Sequence, residues 1–309
     1  MIDPIIFSFD IGSFTLALRW YGVFVMSGAL AGAWITAKEI KRRGGDDEYL
    51  WDAIIFLLPI GILGARLWYV ANATLGGNPY YLQNPIQILN IPQGGLHFYG
   101  GLVFGGAVLL WYAKKHKLDI WLFLDSIAPA ALIGQAVARP ANFINQELYG
   151  QPTTLPWGIS IESSHRIPPY NDMGLYPDTT RFHPSFAYEM VWNFLAAGLI
   201  LWYLRRYPKK DKPGTAFAAW LVLAGIGRFL LEAFRPDQPR IPGTDTSITR
   251  VVAAVMALAG VILLLIRYKV LKVPFAEKWA EKYKIGPTKA EQDKEKEKKT
   301  QKRRKRKKK

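Results

Sequence analysis

The sequence predicts an all-α, polytopic membrane protein with seven transmembrane helices, its N-terminus outside and its C-terminus in the cytoplasm. Half of the 309 residues are hydrophobic, and they fall into blocks of about 20 residues, the length that crosses ~30 Å of hydrocarbon. The loops between the blocks alternate in basic charge, as expected for successive crossings. The seven blocks cover residues 15–37, 50–72, 95–113, 118–137, 184–204, 214–235 and 247–267.

The distribution of Lys and Arg among the loops predicts the orientation of the chain in the membrane. Lys and Arg cluster after the first, third and fifth blocks, whereas loop 73–94 has neither and the long loop 138–183 has three arginines. Because basic loops stay in the cytoplasm, loop 138–183 is predicted to lie outside. The first block follows two aspartates and no basic residue, so we expect a retained span and not a cleaved signal peptide. The chain is thus predicted to comprise a membrane domain over 1–268 and a tail over 269–309.

The net charge of +16 is concentrated in the tail, where 18 Lys and Arg accompany six Asp and Glu. Residues 289–309 include one alanine and no larger apolar side chain, a composition typical of disorder. Two partners suit such a tail. We favour the anionic membrane surface over nucleic acid, for which no specific binding is expected.

Several classes of chemistry are disfavoured by composition. The chain has no cysteine, which excludes disulfides, thiolate metal sites and a cysteine nucleophile within it. Its four histidines lack metal-ligand spacing, and no GxxxxGK[ST] nucleotide motif occurs. We therefore predict neither a metal site nor a cofactor.

Polar side chains concentrate at the predicted outer ends of six segments. Ionisable groups within a bilayer are energetically expensive and indicate functional sites. Asp125 alone lies in an inner half. The outer groups include Tyr21, Arg66, His97, Tyr99, Arg139, Asn142, Asn145, Glu147, His183, Tyr188, Glu189, Arg228, Glu232 and Arg235. A transporter usually places its site near the midplane between repeats, so this clustering favours an enzyme that acts on lipid.

Arginines make this outer cluster suitable for an anion. Arg228, Glu232 and Arg235 have i, i+4, i+7 spacing and are expected to share one helical stripe. A guanidinium offers phosphate a planar fork of donors and stays charged when buried. Arg66 and Arg139 would add two more. The alternative is internal salt bridging, with Arg228 and Glu232 as the obvious pair.

Two motifs allow both a structural and a functional interpretation. In ARPANFINQELYG (138–150), Pro140 suits a helix start or break, and the amides either satisfy freed backbone groups or bind a ligand. In GGLHFYGGLVFGG, Gly101 and Gly105 form a GxxxG pair, which favours close helix packing over a phosphate-binding loop.

These motifs occur in a specific order: RWYG, GARLWYV, GGLHFYGGL, ARPANFINQELYG, HPSFAYE and GRFLLEAFRPD. Over residues 5 to 268, the chain resembles the prolipoprotein diacylglyceryl transferases of the bacterial cytoplasmic (inner) membrane. The R-x-x-N-F-I-N-x-E-x-x-G core is the most specific part of this resemblance.

The resemblance implies a reaction and a set of site residues. The family transfers the diacylglyceryl group of phosphatidylglycerol to the lipobox cysteine of a prolipoprotein signal peptide and releases glycerol phosphate. We expect Arg139 and Arg228 to bind the phosphate, Tyr21 and Asn142 to orient the head group, and Glu147 and Glu232 to hold the arginines. The remaining expected substrate-binding residues are Arg66, Asn145, Gly150 and Arg235, and Tyr99 completes the catalytic set.

One position departs from the family pattern. Many members have a histidine, proposed to act as a base, where this chain has Tyr99. A tyrosine with an ordinary pKa near 10 is a poor base at neutral pH. His97 is expected to be a poor substitute, because two residues along a helix point to opposite faces. The alternative function is a non-catalytic lipid or anion transporter with the same arginine pocket.

Overall fold

The computed structural model describes residues 2–11, 14–91, 94–236, 238, 240–244, 246–295 and 298, and it is mostly helical, as predicted. Short 3₁₀ turns follow several helices, including Glu232–Phe234 after α8. The α-helices are α1 Trp20–Arg42, α2 Glu48–Leu75, α3 Tyr80–Gln83, α4 Phe98–His116, α5 Ile120–Ala138, α6 Pro140–Ile144, α7 Ser185–Arg206, α8 Thr215–Leu231 and α9 Ile248–Arg267.

Six helices in the described part of the chain are long and apolar enough to cross a membrane: α1, α2, α5 continued by α6, α7, α8 and α9. The protein is therefore a multi-pass membrane protein. The third predicted block forms α4, which is less apolar because four glycines and the final Lys114, Lys115 and His116 dilute its hydrophobic residues.

Two small sheets correct the all-α prediction. Strands β1 (Ile5–Ile11) and β2 (Phe14–Arg19) form an antiparallel hairpin, and β3 (Ile159–Ser160) pairs with β4 (Arg181–Phe182). The first helix consequently begins at Trp20 and not at residue 15, because the backbone of 14–19 is hydrogen-bonded across the hairpin.

The chain divides into two compact units. Unit 1 comprises residues 1–39 and 121–283. Its core is built from small and aliphatic residues of α5, α7 and α8: Ala128, Leu132, Ala196, Ala197, Ile200, Leu204 and Ala216. Close approach of α1 and α5 requires glycine, since a Cβ on Gly134 would lie 2.9 Å from the carbonyl oxygen of Gly28.

Asp125, the one acidic residue predicted in an inner half, is fully buried in unit 1. Its carboxylate accepts from the backbone N–H groups of Gly214 at 2.5 Å and Phe217 at 2.8 Å, and from the Tyr283 hydroxyl at 2.8 Å. Asp125 thus acts as an N-cap for α8 from a different helix, satisfying donors that the first turn leaves free.

Unit 2 comprises residues 40–120 and 284–309, and its main contact joins α2 to α4. Glycines let the two helices touch: a Cβ on Gly100 would clash with the Gly64 carbonyl, and one on Gly101 would lie 3.5 Å from the Gly61 carbonyl oxygen. The close packing predicted for the Gly101 and Gly105 pair is thus found at neighbouring Gly100 and not at that pair. The closest approach is at Gly100, whereas a Cβ on Gly105 would make only an ordinary contact.

Part of the tail is ordered, which corrects the expectation for residues 289–309. Residues 289–295 are helical. Within unit 2, Lys289 Nζ lies 2.6 Å from Asp52 Oδ2, the Tyr49 hydroxyl donates to Pro287 O at 3.0 Å, and Gln292 Nε2 donates to His116 O at 3.0 Å. The last residues, 299–309, lie outside the described residues.

Candidate active site

Arg139 lies between α5 and α6 in unit 1 and has two defined partners. Its Nη2 forms an ion pair with Glu189 Oε1 on the first turns of α7, and its Nη1 donates to Asn142 Oδ1 at 3.2 Å. The side chain is 21% exposed. Its Nε–H is buried and has no hydrogen-bond partner among the described residues. The guanidinium is therefore held at one edge and retains a free donor, as an anion-binding arginine requires.

Two asparagine amides of the R-x-x-N-F-I-N-x-E-x-x-G core, residues 139–150 and called the signature below, surround one carboxylate. Asn142 Nδ2 donates to Glu147 Oε1 at 2.8 Å, and Asn145 Nδ2 lies 3.4 Å from the same oxygen. Gln146 and Leu148 on either side of Glu147 have φ values of 54° and 55°, an uncommon conformation for non-glycine residues. These two left-handed residues turn the chain so that Glu147 reaches back to the amides.

This arrangement corrects the expected partner of Glu147. Among the described residues, its contacts are Asn142 and Asn145, not an arginine. The carboxylate that holds Arg139 is Glu189, which lies 50 residues further along the chain. Glu189 was visible in the sequence as a carboxylate at the same outer level, but sequence spacing alone does not pair it with Arg139.

Gly150 joins the signature to the segment after α8. Its N–H donates to His183 O at 2.7 Å, and the N–H of Gln151 donates to Phe234 O at 2.9 Å. A Cβ on Gly150 would lie 2.7 Å from Phe234 O and 2.8 Å from His183 Cβ. Only glycine fits this junction, which brings the loop after α6, the start of α7 and the end of the 3₁₀ turn into contact.

Glu232 and Arg228 form the predicted pair. Arg228 Nη2 lies 3.2 Å from Glu232 Oε2, and the glutamate side chain is 5% exposed. Neither carboxylate oxygen of Glu232 accepts a hydrogen bond in the described part of the chain. A buried carboxylate with this free capacity is expensive unless charge or a ligand compensates it.

Arg235 does not share the helical stripe of Arg228 and Glu232. Helix α8 ends at Leu231, a 3₁₀ turn covers Glu232–Phe234, and Arg235 is extended with φ −100° and ψ 115°. The physical cause is Pro236, because a residue before proline is disfavoured in helical conformation. The predicted i, i+4, i+7 stripe is therefore wrong at its third position.

Next to Gly150, the side chains of Trp157, Tyr188 and His183 are joined by two hydrogen bonds. Trp157 Nε1 donates to the Tyr188 hydroxyl at 2.8 Å, and this hydroxyl lies 3.0 Å from His183 Nδ1. Since indole is only a donor, the tyrosine oxygen accepts from Trp157 and its own proton is available to His183 Nδ1. Burial lowers the pKa of His183, which favours the neutral imidazole that this arrangement needs.

The guanidinium of Arg66, in unit 2, donates hydrogen bonds to the segment between α2 and α4. Its side chain is buried, and it donates to the carbonyls of Gln87, Ile88, Gly94 and Gly95 at 2.6, 2.9, 2.7 and 3.2 Å. A guanidinium has five N–H groups, so little of it is left for a phosphate. The expectation that Arg66 binds substrate is corrected: in this structure it anchors the segment between α2 and α4.

His97 and Tyr99 are neighbours, contrary to the prediction of opposite faces. Helix α4 begins at Phe98, and His97 is an extended N-cap residue with φ −108° and ψ 123°, so helical spacing does not apply to it. The two rings stack with centroids 5.5 Å apart and planes at 30°. His97 Nδ1 is buried without a hydrogen-bond partner among the described residues.

Tyr21 lies in the first turn of α1 and is 45% exposed, so its part in substrate binding stays a prediction. The described residues contain no group of three His, Cys, Asp or Glu side chains that could hold a metal ion. What unit 1 offers instead is a set of guanidinium and amide donors, oriented by buried and partly buried carboxylates, which suits an anionic ligand.

The fold and this site define a multi-pass membrane protein with a polar, arginine-containing site. Residues 4–266 match the family model described as prolipoprotein diacylglyceryl transferase. The chain belongs to the prolipoprotein diacylglyceryl transferase family and is a transferase, as the motif resemblance predicts.

Its relatives include proteins named phosphatidylglycerol–prolipoprotein diacylglyceryl transferase. The protein from Chloroflexus aggregans is 36% identical over 244 residues, covering 76% of this chain and 78% of the relative. The protein from Enterococcus faecalis is 31% identical over 272 residues, covering 88% and 94%. The protein from Symbiobacterium thermophilum is 35% identical over 263 residues, covering 85% and 92%.

Proposed function

We propose that this protein transfers the diacylglyceryl group of phosphatidylglycerol to the lipobox cysteine thiol of a prolipoprotein. The observation that carries the proposal is the Glu189–Arg139–Asn142–Glu147 network. Arg139, Asn142 and Glu147 belong to the R-x-x-N-F-I-N-x-E-x-x-G core, and Glu189 ends the HPSFAYE motif. The relatives' names supply the two substrates.

The reaction exchanges one bond for another. The sulfur forms a bond to the glyceryl carbon that carries the phosphate oxygen, and the carbon–oxygen bond breaks. The electron pair leaves with glycerol phosphate, and the thiol proton passes to water or to a base. A thiol with a pKa of about 8.5 is already a few per cent thiolate at neutral pH, so charge stabilisation of the leaving phosphate is the larger requirement.

The side chains of unit 1 fit this requirement. Arg139 and Arg228 would stabilise the growing phosphate charge, with Glu189 and Glu232 orienting them. A fixed donor aimed at developing charge needs no reorganisation during the reaction, which is the origin of its catalytic effect. Asn142 and Tyr21 would orient the head group, and the other proposed contacts are Asn145, Gly150 and Arg235.

We infer a seven-span topology with the N-terminus outside and the C-terminus in the cytoplasm. Six helices meet the length and hydropathy requirements, and α4 is supported as the seventh because it packs along α2 through glycines, as membrane helices do. With the alternation of basic loops, this topology places loop 138–183 outside the bacterial inner membrane.

Purified protein reconstituted with phosphatidylglycerol and a lipobox peptide tests the proposal. We expect thioether-linked peptide and one released glycerol phosphate per peptide modified. A peptide with serine in place of cysteine is the matched control and should give neither product. Transbilayer flux of phosphatidylglycerol or phosphate without covalent product, from correctly folded protein, would support the transporter alternative instead.

A further inference from the structure

The hairpin of β1 and β2 presents an apolar face that no other part of the described chain covers. Phe7 pairs with Leu18 and Ser8 with Ala17, and successive strand residues point to opposite faces. Phe7, Phe9 and Leu18 therefore share a face, with exposures of 53%, 49% and 41%. The two phenylalanine rings stack with centroids 6.3 Å apart.

The position of the hairpin follows from its connection to α1. Strand β2 ends at Arg19, and α1 begins at Trp20 without a linker. The N–H of Trp20 also donates to Pro4 O at 3.1 Å, which ties the other end of the hairpin to the same point. Because α1 is one of the helices able to cross a membrane, the hairpin is held where this helix leaves the bilayer.

We propose that the β1–β2 hairpin is a membrane-interface element whose Phe7, Phe9 and Leu18 face contacts the acyl chains just below the lipid head groups. Moving exposed apolar side chains out of water is favourable, and amphipathic helices at membrane surfaces bury Trp, Phe and Leu side chains. Amphipathic elements bury their apolar face about 5–10 Å into this boundary. Ser8 lies on the opposite face, toward water.

The proposed depth has a consequence for the site, and this consequence rests on the proposed function. Tyr21 follows the hairpin by two residues, so an interfacial hairpin holds Tyr21 at head-group level. A phosphatidylglycerol head group would meet this side chain without leaving its leaflet. The hairpin would thus set the depth of Tyr21 through α1, as a positioning element.

The absence of cysteine from the whole chain permits a direct test by single-site labelling. Phe9→Cys, Leu18→Cys and Ser8→Cys would each carry one nitroxide on the full-length protein in phosphatidylglycerol-containing vesicles. Accessibility to oxygen, which concentrates in lipid, is compared with accessibility to a water-soluble nickel chelate. Phe9→Cys and Leu18→Cys report the same face independently, and Ser8→Cys is the matched control on the same strand as Phe9.

We expect the oxygen-to-nickel accessibility ratio at Phe9 and Leu18 to exceed that at Ser8 by at least about fivefold, as for a face buried below the head groups. Equal, water-like ratios at the three sites would overturn the proposal, because the hairpin would then stand in solvent. Low accessibility to both reagents with spin–spin broadening would also overturn it, in favour of contact with a second copy. These readouts need no catalysis, so they stay interpretable even if the proposed transfer reaction is not observed.

Discussion

Arg139 is the residue whose surroundings say most about the chemistry. An arginine with carboxylates on every edge would be a structural ion pair, whereas Arg139 has one carboxylate, one amide and a buried Nε–H with no partner among the described residues. Glu189 fixes the plane of the guanidinium, and charge-assisted hydrogen bonds of this kind are both stronger and more directional than neutral ones.

Replacing Glu189 with glutamine should slow the transfer step. The substitution keeps the shape but removes the charge that orients Arg139, and a hydrogen bond to a charged group contributes about 1.5–3 kcal/mol. We expect kcat to fall about 10- to 100-fold, with little change in KM for the peptide. Glu162→Gln, at an exposed carboxylate paired with His165, is the control and should retain activity. Equal kcat values for the two variants would refute a positioning role for Glu189.

His183 gives the protein a pH dependence whose sign can be stated. Burial lowers its pKa in the folded state, so the unfolded chain, with a pKa near 6.5, binds the proton more readily. The stability linked to His183 is therefore complete above about pH 6.5 and is lost as the pH falls below it. We expect the melting temperature of the wild type to decline as the pH falls below about 6.5, and that of His183→Gln to decline less steeply. His165→Gln should keep the wild-type slope; an unchanged slope in His183→Gln would contradict this assignment.

At the scale of elements, Arg66 illustrates how one side chain organises a loop. Four backbone carbonyls between α2 and α4 accept from it, and a hydrogen bond to a charged group contributes about 1.5–3 kcal/mol. Arg66→Ala should lower the free energy of unfolding by at least about 3 kcal/mol, measured by thermal or denaturant melting in detergent. Arg206→Ala, at an exposed helix end, should change it by less than about 0.5 kcal/mol. A stable Arg66→Ala protein that has lost phosphatidylglycerol binding would restore the phosphate-binding interpretation.

The helices could be predicted because blocks of about 20 apolar residues leave little alternative in a bilayer. The places where the structure differs from the prediction, residues 14–19 and the end of α8, are marked less clearly in the sequence. Residues 14–19 are apolar enough to continue the first span, and only their pairing with β1 across the hairpin makes them a strand. The end of α8 was predictable in principle, because Pro236 disfavours a helical Arg235.

Side-chain partners could be predicted only where they are close in sequence. Arg228 and Glu232 are four residues apart on a helix, and their pairing follows from that spacing. Arg139 and Glu189 meet only through the packing of α5, α6 and α7. The adjacency of His97 and Tyr99 depends on where α4 begins, and helix boundaries are the least certain feature of a sequence-based prediction.

At the scale of the whole molecule, the tail has an ordered part and a terminal part. Lys289 contacts Asp52 through its ammonium group and Asp46 through its backbone N–H, so the ordered part is bound to the start of α2. Truncation after residue 295 should leave the melting temperature within about 1 °C of wild type, whereas truncation after 283 should lower it by at least about 3 °C.

The same two truncations distinguish the effect of the tail on stability from its effect on association with anionic membranes. Both remove the terminal cluster of Lys and Arg, so both should weaken association with anionic vesicles, while turnover per folded molecule in detergent should stay within about twofold. A large loss of turnover after truncation at 295, with an unchanged melting temperature, would instead give the terminal residues a part in catalysis.

In the reaction that we propose, arginines that stabilise the leaving phosphate supply the catalytic effect, and a base at position 99 does not. The most direct test of this role is the single-turnover rate of diacylglyceryl transfer in Arg139→Ala, Arg228→Ala and Tyr99→Phe, with Arg206→Ala as a control for the loss of an arginine. We expect loss of either site arginine to cost at least about 3 kcal/mol, more than 100-fold in rate, and Tyr99→Phe to stay within about tenfold of wild type. The reverse ranking, with folded but inactive Tyr99→Phe and active arginine variants, would rule out this role of the arginines and place the decisive group beside His97 and Tyr99.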